Sequence, residues 1–314
     1  MRIARSALLL ALAAAALACE PAAATFPGRN GDIVLSHQEG SRYSNQQMSL
    51  LRFALRFDSP REAPVCAQRT AGSPPFCQLL GRGAIAPDGA RIAVTVRDRT
   101  PALWTLNADG QLINRVPLGS LYSDVRWAPD ESAFLAVRAL DPADPEPSPR
   151  GPTGVYLLNT DGSERSLLAT DASAADWCPD GRILVAQHGD IWVIEPSRPG
   201  GVRRLTRRGG SDPSCSPHSR QVTFTRRDAI WTIPTKGGRA RRLTAGFAPV
   251  WSPDGKQIAY LGEVRGRYNL ETNLYRIGLR RRIVRRVSEE PLMVDDAYSD
   301  ASVEGPDWQP LPRR

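Results

Sequence analysis

The stretch that decides the fold is Trp251-Ser252-Pro253-Asp254-Gly255, because the same short pattern returns along the chain. The related stretches are Ala86-Pro87-Asp88-Gly89, Trp127-Ala128-Pro129-Asp130, Trp177-Cys178-Pro179-Asp180-Gly181, Cys215-Ser216-Pro217 and Trp308-Gln309-Pro310. Proline presets φ for the first corner of a tight turn, and Asp-Gly tolerates the positive φ that follows. Each stretch therefore predicts a hairpin turn between two strands.

The six prolines of these turns are 42, 50, 38, 36 and 57 residues apart, which indicates a repeating unit. After a turn comes an apolar strand such as residues 183–186, and then a strand with an aromatic residue, such as 191–194. A final strand such as 203–206 completes a unit of four strands. Because a lone four-stranded sheet cannot bury two apolar faces, we expect the units to stack around an axis. The sequence predicts an all-β, six-bladed β-propeller of four-stranded antiparallel blades.

The two ends of the sequence predict how the ring closes. The motif at Trp308 has no strand after it, and residues 32–36 form a strand with no motif before it. We expect the N- and C-terminal strands to pair in one shared blade. Its other strands are expected at about residues 50–57 and 76–81, and residues 25–314 are expected to form a single domain.

The first residues are typical of an export signal. Residues 1–6 carry two arginines, and residues 7–18 are an apolar run that is too short to span a bilayer. Two processing sites stay open: a signal peptide of residues 1–24, or a lipoprotein signal of residues 1–18 with Cys19 acylated. Either one predicts an exported protein, periplasmic or extracellular, with a lipid anchor in the second case.

The charge of the chain is basic and comes almost wholly from arginine. The sequence has 41 Lys+Arg against 33 Asp+Glu, a formal net charge of +8, and lysine only at Lys236 and Lys256. Arginine clusters are typical of nucleic-acid binding, but solvated strands also carry arginine. Export favours a protein, lipid or polymer of the cell envelope over nucleic acid. We expect a monomer that contacts a membrane only through a lipid anchor.

Export also permits disulfide bonds. Cys66 and Cys77 are the candidates for a local bridge that closes a loop. Cys178 and Cys215 would pair only if their repeats adjoin, and would otherwise be buried thiols.

The opening Phe26-Pro27-Gly28-Arg29-Asn30-Gly31 and the repeated Trp-x-Pro-Asp-Gly turns resemble the TolB-like β-propeller family of exported bacterial proteins. The Arg-Arg-Leu-Thr strands fit the same family, and the similarity extends over about residues 26–310. It implies an exported propeller that binds a protein or another ligand. TolB itself carries an α/β domain before its propeller, and no stretch of that length precedes residue 30 in this sequence.

The sequence contains no recognised catalytic motif. Ser216 lies close to His218, but no orienting carboxylate is indicated, so a loop role is favoured over a nucleophile and base. We expect no catalytic residue, no cofactor and a non-enzymatic protein. An enzyme that uses the central channel for a small molecule or a metal, and a structural envelope protein, are the alternatives.

Residues just before the turn tryptophans are expected on the innermost strands, where they can face the central channel. The candidates for binding a ligand or partner there are Asp124, Arg126, Asp176, Asp212 and Asp307. Converging carboxylates suit a cation or a basic segment of a partner, so a metal site stays open. The alternative is that each Asp bonds the backbone of its own turn.

The turn tryptophans have two interpretations. Trp127, Trp177, Trp251 and Trp308 could form an aromatic ligand cage or pack between blades. Packing is favoured, because buried aromatic area dominates core energetics.

Overall fold

A computed structural model describes residues 26–39, 47–53, 61–64, 78–79, 83–97, 100–138, 152–266, 269–295, 302–303 and 305–311. The regular elements in these ranges are strands, and they form six antiparallel sheets. No helix in the described ranges is long and apolar enough to cross a membrane. The prediction of an all-β propeller with four-stranded antiparallel blades is confirmed.

The first three strands belong to one sheet, called here the seam sheet: β1 (Arg29–Glu39), β2 (Gln47–Phe53) and β3 (Arg61–Pro64). Blade 1 contains β4 (Gln78–Leu79), β5 (Ala84–Ile85), β6 (Arg91–Arg97), β7 (Pro101–Asn107) and β8 (Leu112–Pro117). Blade 2 contains β9 (Asp124–Trp127), β10 (Ala133–Arg138), β11 (Gly154–Asn159) and β12 (Glu164–Thr170). Blade 3 contains β13 (Ala172–Trp177), β14 (Ile183–Gln187), β15 (Asp190–Ile194) and β16 (Val202–Arg204).

Blade 4 contains β17 (Ser211–Cys215), β18 (Gln221–Thr225), β19 (Ala229–Pro234) and β20 (Arg241–Ala245). Blade 5 contains β21 (Phe247–Trp251), β22 (Gln257–Arg265), β23 (Leu270–Gly278), β24 (Val284–Arg286) and β25 (Met293–Asp295). The last strands, β26 (Ser302–Val303) and β27 (Asp307–Leu311), return to the seam sheet.

Five blades are thus continuous in sequence, and the seam sheet is built from both ends of the described chain. β27 pairs antiparallel with β1, with Ile33 opposite Trp308, so the predicted pairing of the terminal strands is present. The indole Nε1 of Trp308 also donates a hydrogen bond to the Gly31 carbonyl, 3.1 Å away. The side-chain amide of Gln309 donates to the Gly89 carbonyl at 2.6 Å, which ties the last turn to the first.

One part of the closure prediction is wrong. Residues 76–81 were expected in the shared blade, but β4 pairs with β6 of blade 1, with Leu79 opposite Val96. Only residues 80–83 separate β4 from β5, and β5 also pairs with β6, so both short strands follow the same partner. The expected strand at about 50–57 is present over residues 50–53 as part of β2, and residues 54–57 lie outside the described residues. β3 lies outside β2 in the seam sheet.

The apolar core lies between the sheets rather than at the centre of the ring. Six buried clusters join the six pairs of neighbouring sheets, including the pairs on either side of the seam sheet. The turn tryptophans are buried and share a cluster with the preceding sheet: Trp127 with Ala84, Trp177 with Leu135, Trp251 with Ile230 and Trp308 with Val250. Packing between blades is therefore the role of these tryptophans.

A disulfide bond joins Cys178 of blade 3 to Cys215 of blade 4, with the two Cα atoms 5.2 Å apart. The two repeats are neighbours, which was the condition for this pairing. Cys66, Cys77 and Cys19 lie outside the described residues, so the local bridge and the acylation stay predictions.

The first turn is expected to tolerate less change than the equivalent turn of blade 3. Gly89 has a φ of +69°, and a Cβ atom there would lie 2.0 Å from the Pro310 carbonyl oxygen of the seam. Gly181 has a φ of +82°, with no atom within 4 Å of such a Cβ. Both Ala substitutions carry the cost of positive φ, and Gly89→Ala should cost about 1–3 kcal/mol more because the seam backbone must move. Urea unfolding of the two variants measures this difference, and equal losses would contradict it.

The disulfide is expected to contribute about 2–4 kcal/mol, because it closes a long loop of the unfolded chain. The double variant Cys178→Ala/Cys215→Ala should lose that amount in urea unfolding. Dithiothreitol should lower the stability of the wild type by more than that of the double variant. Peptide mapping that finds free thiols at both positions in the oxidised protein would overturn the assignment.

Candidate functional site: the central channel

The innermost strands of all six sheets converge on a narrow central channel. It encloses a cavity of about 40 Å³. Every sheet contributes a lining residue, for example Ile85, Arg126, Asp176, Ser214, Val250 and Asp307. The channel is therefore a real feature of the ring, but the space inside it is small.

The side chain of Phe26 is one reason why the cavity is small. Its side chain lines the cavity and packs against the apolar clusters on both sides of blade 2. The backbone N–H of Gly28 donates to the carbonyl of Pro253, in a turn of blade 5, at 3.2 Å. Phe26 thus approaches from the face that carries the Pro-Asp-Gly turns and closes the channel on that side. Sequence reasoning missed this role, and the apolar residue before Pro27 was its only signal.

Arg126 is the cation of the channel, and it is already paired. Its guanidinium donates to both carboxylate oxygens of Asp124, at 2.8 and 3.1 Å, and to the carbonyl of Val125 at 2.5 Å. Its Nε lies 3.9 Å from the carboxylate of Asp176 in the next blade. A two-pronged pair of this kind fixes the Arg side chain against the wall.

Asp176 and Asp307 hold the next sheet in place. Asp176 accepts a hydrogen bond from the backbone N–H of Cys215 at 2.8 Å, and Asp307 accepts one from Ile85 at 2.8 Å. Ser214 occupies the equivalent position of blade 4 and accepts from the N–H of Trp251 at 3.4 Å. In all three cases, the acceptor residue lies directly before the position of the turn tryptophan. The donor is the backbone N–H at that same position in the following sheet.

The alternative expected for these carboxylates was a hydrogen bond to the backbone of their own turn. The structure shows such a bond and also a bond to the neighbouring blade. Asp307 does accept from the adjacent N–H of Trp308 at 2.9 Å, but its other oxygen crosses to blade 1. The channel carboxylates therefore act between blades as well as locally.

Asp212 does not join the other four candidates. It has a positive φ of 46°, accepts a hydrogen bond from the Ser211 hydroxyl at 3.0 Å and is absent from the cavity lining. Arg126, Asp176 and Asp307 line the cavity, and Asp124, which does not line it, joins them through its hydrogen bonds with Arg126. No group of three His, Cys, Asp or Glu side chains that could hold a metal ion occurs within the described residues.

Ser216 is occupied by its turn. Its hydroxyl oxygen accepts hydrogen bonds from the backbone N–H groups of Arg220 and Gln221, at 3.1 and 3.0 Å. Ser216 is buried while His218 is exposed. This geometry gives Ser216 the loop role that the sequence favoured.

A second charged cluster lies in blade 2. The buried Arg138 donates to the hydroxyl groups of Tyr156 and Tyr122, at 2.9 and 3.1 Å, and pairs with Glu164. Burial raises the pKa of Tyr122 above its ordinary value, and its hydrogen bond to Glu164 raises this pKa further. A tyrosine held neutral beside a paired cation cross-links the strands of this blade.

Removing the acceptor at Asp176 is expected to destabilise the ring. Asp176→Ala leaves the Cys215 N–H without its acceptor, which should cost about 1–3 kcal/mol. Asp176→Asn keeps an acceptor oxygen and should cost less. Urea unfolding compares the two variants, and an equal loss would mean that attraction to Arg126, rather than the hydrogen bond, matters.

No protein-family model matches this sequence, and no curated protein matches it either. By structure, the chain is similar to a provisionally named TolB from Agrobacterium tumefaciens, with a TM-score of 0.56 and 17% identity over 90% of this chain and 100% of that chain. Kuenenia stuttgartiensis hydrazine synthase matches with a TM-score of 0.50 and 17% identity, over 73% of this chain and 71% of that chain. An acylaminoacyl peptidase matches with a TM-score of 0.50 and 12% identity, over 81% of this chain and 44% of that chain.

These likenesses support the β-propeller fold, and at such low identities they show the fold alone. Two of the three similar proteins are named as enzymes and one is named as a TolB. A shared propeller therefore does not decide whether the chain catalyses a reaction, because function belongs to sites and not to folds.

Proposed function

We propose that this chain is an exported, non-enzymatic β-propeller of six blades that binds a protein or peptide partner in the cell envelope. The seam sheet serves as the sixth blade. The observation that carries the proposal is the small volume of the cavity among the channel-lining residues. Small-molecule pockets usually enclose about 300–1,000 Å³, whereas this channel encloses about 40 Å³. Recognition therefore falls to the outer surface and its loops.

Two features support export. The basic residues and apolar run at positions 1–18 have the form of a signal, although they lie outside the described residues. The bond between Cys178 and Cys215 is the kind that persists in oxidising compartments. Cleavage after Ala24 gives a free protein, and acylation of Cys19 gives an anchored one. The TolB-like motifs of the turns agree with either form.

The face opposite the Pro-Asp-Gly turns suits a partner best. The turns are bonded to one another, as in the contact between the Asp180 N–H and the Ser219 hydroxyl at 3.2 Å. The opposite face, called here the loop face, carries the connections from each outer strand to the next blade. Asp171, His188 and Asp212 have positive φ on or beside these loops. Such backbone conformations are sparsely populated and cluster at functional sites.

Of the candidate residues, Asp124 and Asp212 lie near the loop-face ends of their strands, whereas Arg126, Asp176 and Asp307 lie directly before the turn tryptophans. We place the partner over the mouth of the channel on the loop face, where the connecting loops are available for recognition. An enzyme that uses the channel is the second candidate. The buried indole N–H of Trp177, which lines the cavity and has no acceptor among the described residues, favours a small polar ligand there.

Site-specific photo-crosslinking in the cell envelope tests the proposal. A photoreactive residue replaces Ser173, which is exposed near the start of β13 on the loop face. A matched control replaces Lys256, which is exposed in a turn on the opposite face. We expect a discrete adduct with one envelope protein from position 173 and none from position 256. The intact mass of the recovered protein distinguishes a start at Thr25 from an acylated Cys19.

Two results would count against this function. The same adducts from both positions would indicate random collisions, and the absence of any adduct would favour the structural envelope protein. A bound small molecule or metal that survives purification would favour the channel enzyme.

A further inference from the structure

A large basic groove lies on the outer rim between blades 3 and 4. It encloses about 1240 Å³ and is lined by β16 with the loop after it, by β19, and by the turns at either end of β19. Among the described residues, seven arginines and one lysine line it, and no Asp or Glu does. We call it the basic groove.

The outer strand of blade 3, which lines the groove, is short. β16 has three residues, whereas the outer strands β8 and β12 have six and seven. A short outer strand leaves the adjacent surface of blade 4 uncovered, where Trp231 and Ile233 form the floor. Trp231 is half-buried, so the floor is partly apolar.

Three arginines are fixed as part of the walls. Arg203 donates to the carbonyl of Thr235, and Arg204 pairs with the buried Asp190. Arg226 donates from Nε to the Gly209 carbonyl at 2.8 Å. Its guanidinium also lies over the Trp231 ring, 5.1 Å from the ring centroid. These contacts hold the two sides of the groove in place.

The other five cations are exposed, and none forms a salt bridge within the described part of the chain. They are Arg207, Arg208, Arg227, Lys236 and Arg239. Burial lowers the pKa of Arg226 from its ordinary value, Asp190 opposes that change, and the charges of Arg208 and Arg227 add to it. Like charges are thus close together in the groove, and the carboxylate that offsets them, Asp190, is already paired with Arg204. A bound anion would lower the remaining repulsion.

We propose that the basic groove binds an extended acidic peptide segment of a partner protein, one that also carries apolar side chains. The inference rests on the proposed function, and it names the chemistry of the partner. The groove follows β19, whose six residues correspond to roughly 20 Å of extended chain. Alternate side chains of an extended segment point to opposite sides, so acidic residues reach the arginines while apolar residues reach the floor.

The composition of the lining favours a peptide over an anionic glycan. Sugar hydroxyl groups need acceptors as well as donors, but the charged side chains of the lining only donate. The hydroxyl of Thr206 is engaged with Asp190 at 2.7 Å. Nucleic acid would need an aromatic face for stacking, and Arg226 already lies over the ring of Trp231.

Fluorescence anisotropy with the full-length exported protein tests this inference. The probe is a labelled peptide of alternating Glu and Leu, about ten residues long, and the control peptide replaces each Glu by Gln. We expect the acidic peptide to bind, the control peptide not to bind, and the affinity to fall as salt rises. Equal binding of both peptides would overturn the proposal.

The variant Arg208→Gln/Arg227→Gln/Arg239→Gln removes three exposed cations of the groove without changing the residues that make the wall contacts. Its affinity for the acidic peptide should fall by about tenfold or more. The matched control Arg280→Gln/Arg281→Gln/Arg286→Gln removes three exposed arginines of blade 5 and should keep the wild-type affinity. An equal loss of affinity in the two variants would mean that binding depends only on the net charge of the protein, and it would overturn the proposed site. Thermal unfolding checks that both variants fold.

Polygalacturonate and oligothymidylate serve as competitors. If either binds in the groove while the acidic peptide does not, the peptide assignment is wrong, and it is also wrong if no probe binds. Failure of this inference can be distinguished from failure of the proposed function. If the envelope adduct at position 173 still forms in the groove variant, the proposed function is kept and only the role of the groove is rejected.

Discussion

The packing of each sheet onto its neighbour is the constraint on which the rest of this structure depends. A four-stranded blade has two apolar faces, and every face here is covered by an adjacent sheet. That is possible only if the last sheet returns to the first. The pairing of Ile33 with Trp308 achieves this return, so the two ends of the chain are held together by the same apolar burial that stabilises each blade.

Ring closure also determines what the channel can do. Where six strands meet at a narrow axis, a polar side chain on one strand reaches the backbone of the next. Asp176, Ser214 and Asp307 use that proximity to accept a neighbouring N–H. These polar side chains, which the sequence presents as candidates for ligand binding, therefore align the sheets. Since Phe26 also lines this cavity, little space is left there, which agrees with the proposal that recognition uses the loops and the rim.

The repeat could be predicted well because its signal is local. Pro, Asp and Gly set the turns by their own backbone preferences, and the flanking apolar strands lie where the motif places them, as residues 183–186 do in β14. Pairing partners were harder, because they depend on distant residues. Residues 78–79 have strand character, but nothing in their sequence tells whether β6 or β1 lies beside them. Likewise, the adjacency of their repeats had to be known before Cys178 and Cys215 could be paired.

The basic groove was not predicted from the sequence for the same reason, because it depends on which distant residues lie side by side. Its cations come from residues 203–208 and from residues 226–239, which are separate in the chain and meet only across blades 3 and 4. These two blades are also the pair joined by the disulfide, by the bond from Cys215 to Asp176, and by the contact from Asp180 to Ser219. Rigid walls reduce the entropy lost when a ligand binds. A recognition surface formed between two blades needs a constant spacing, and in this protein the links near the axis fix that spacing for the walls at the rim.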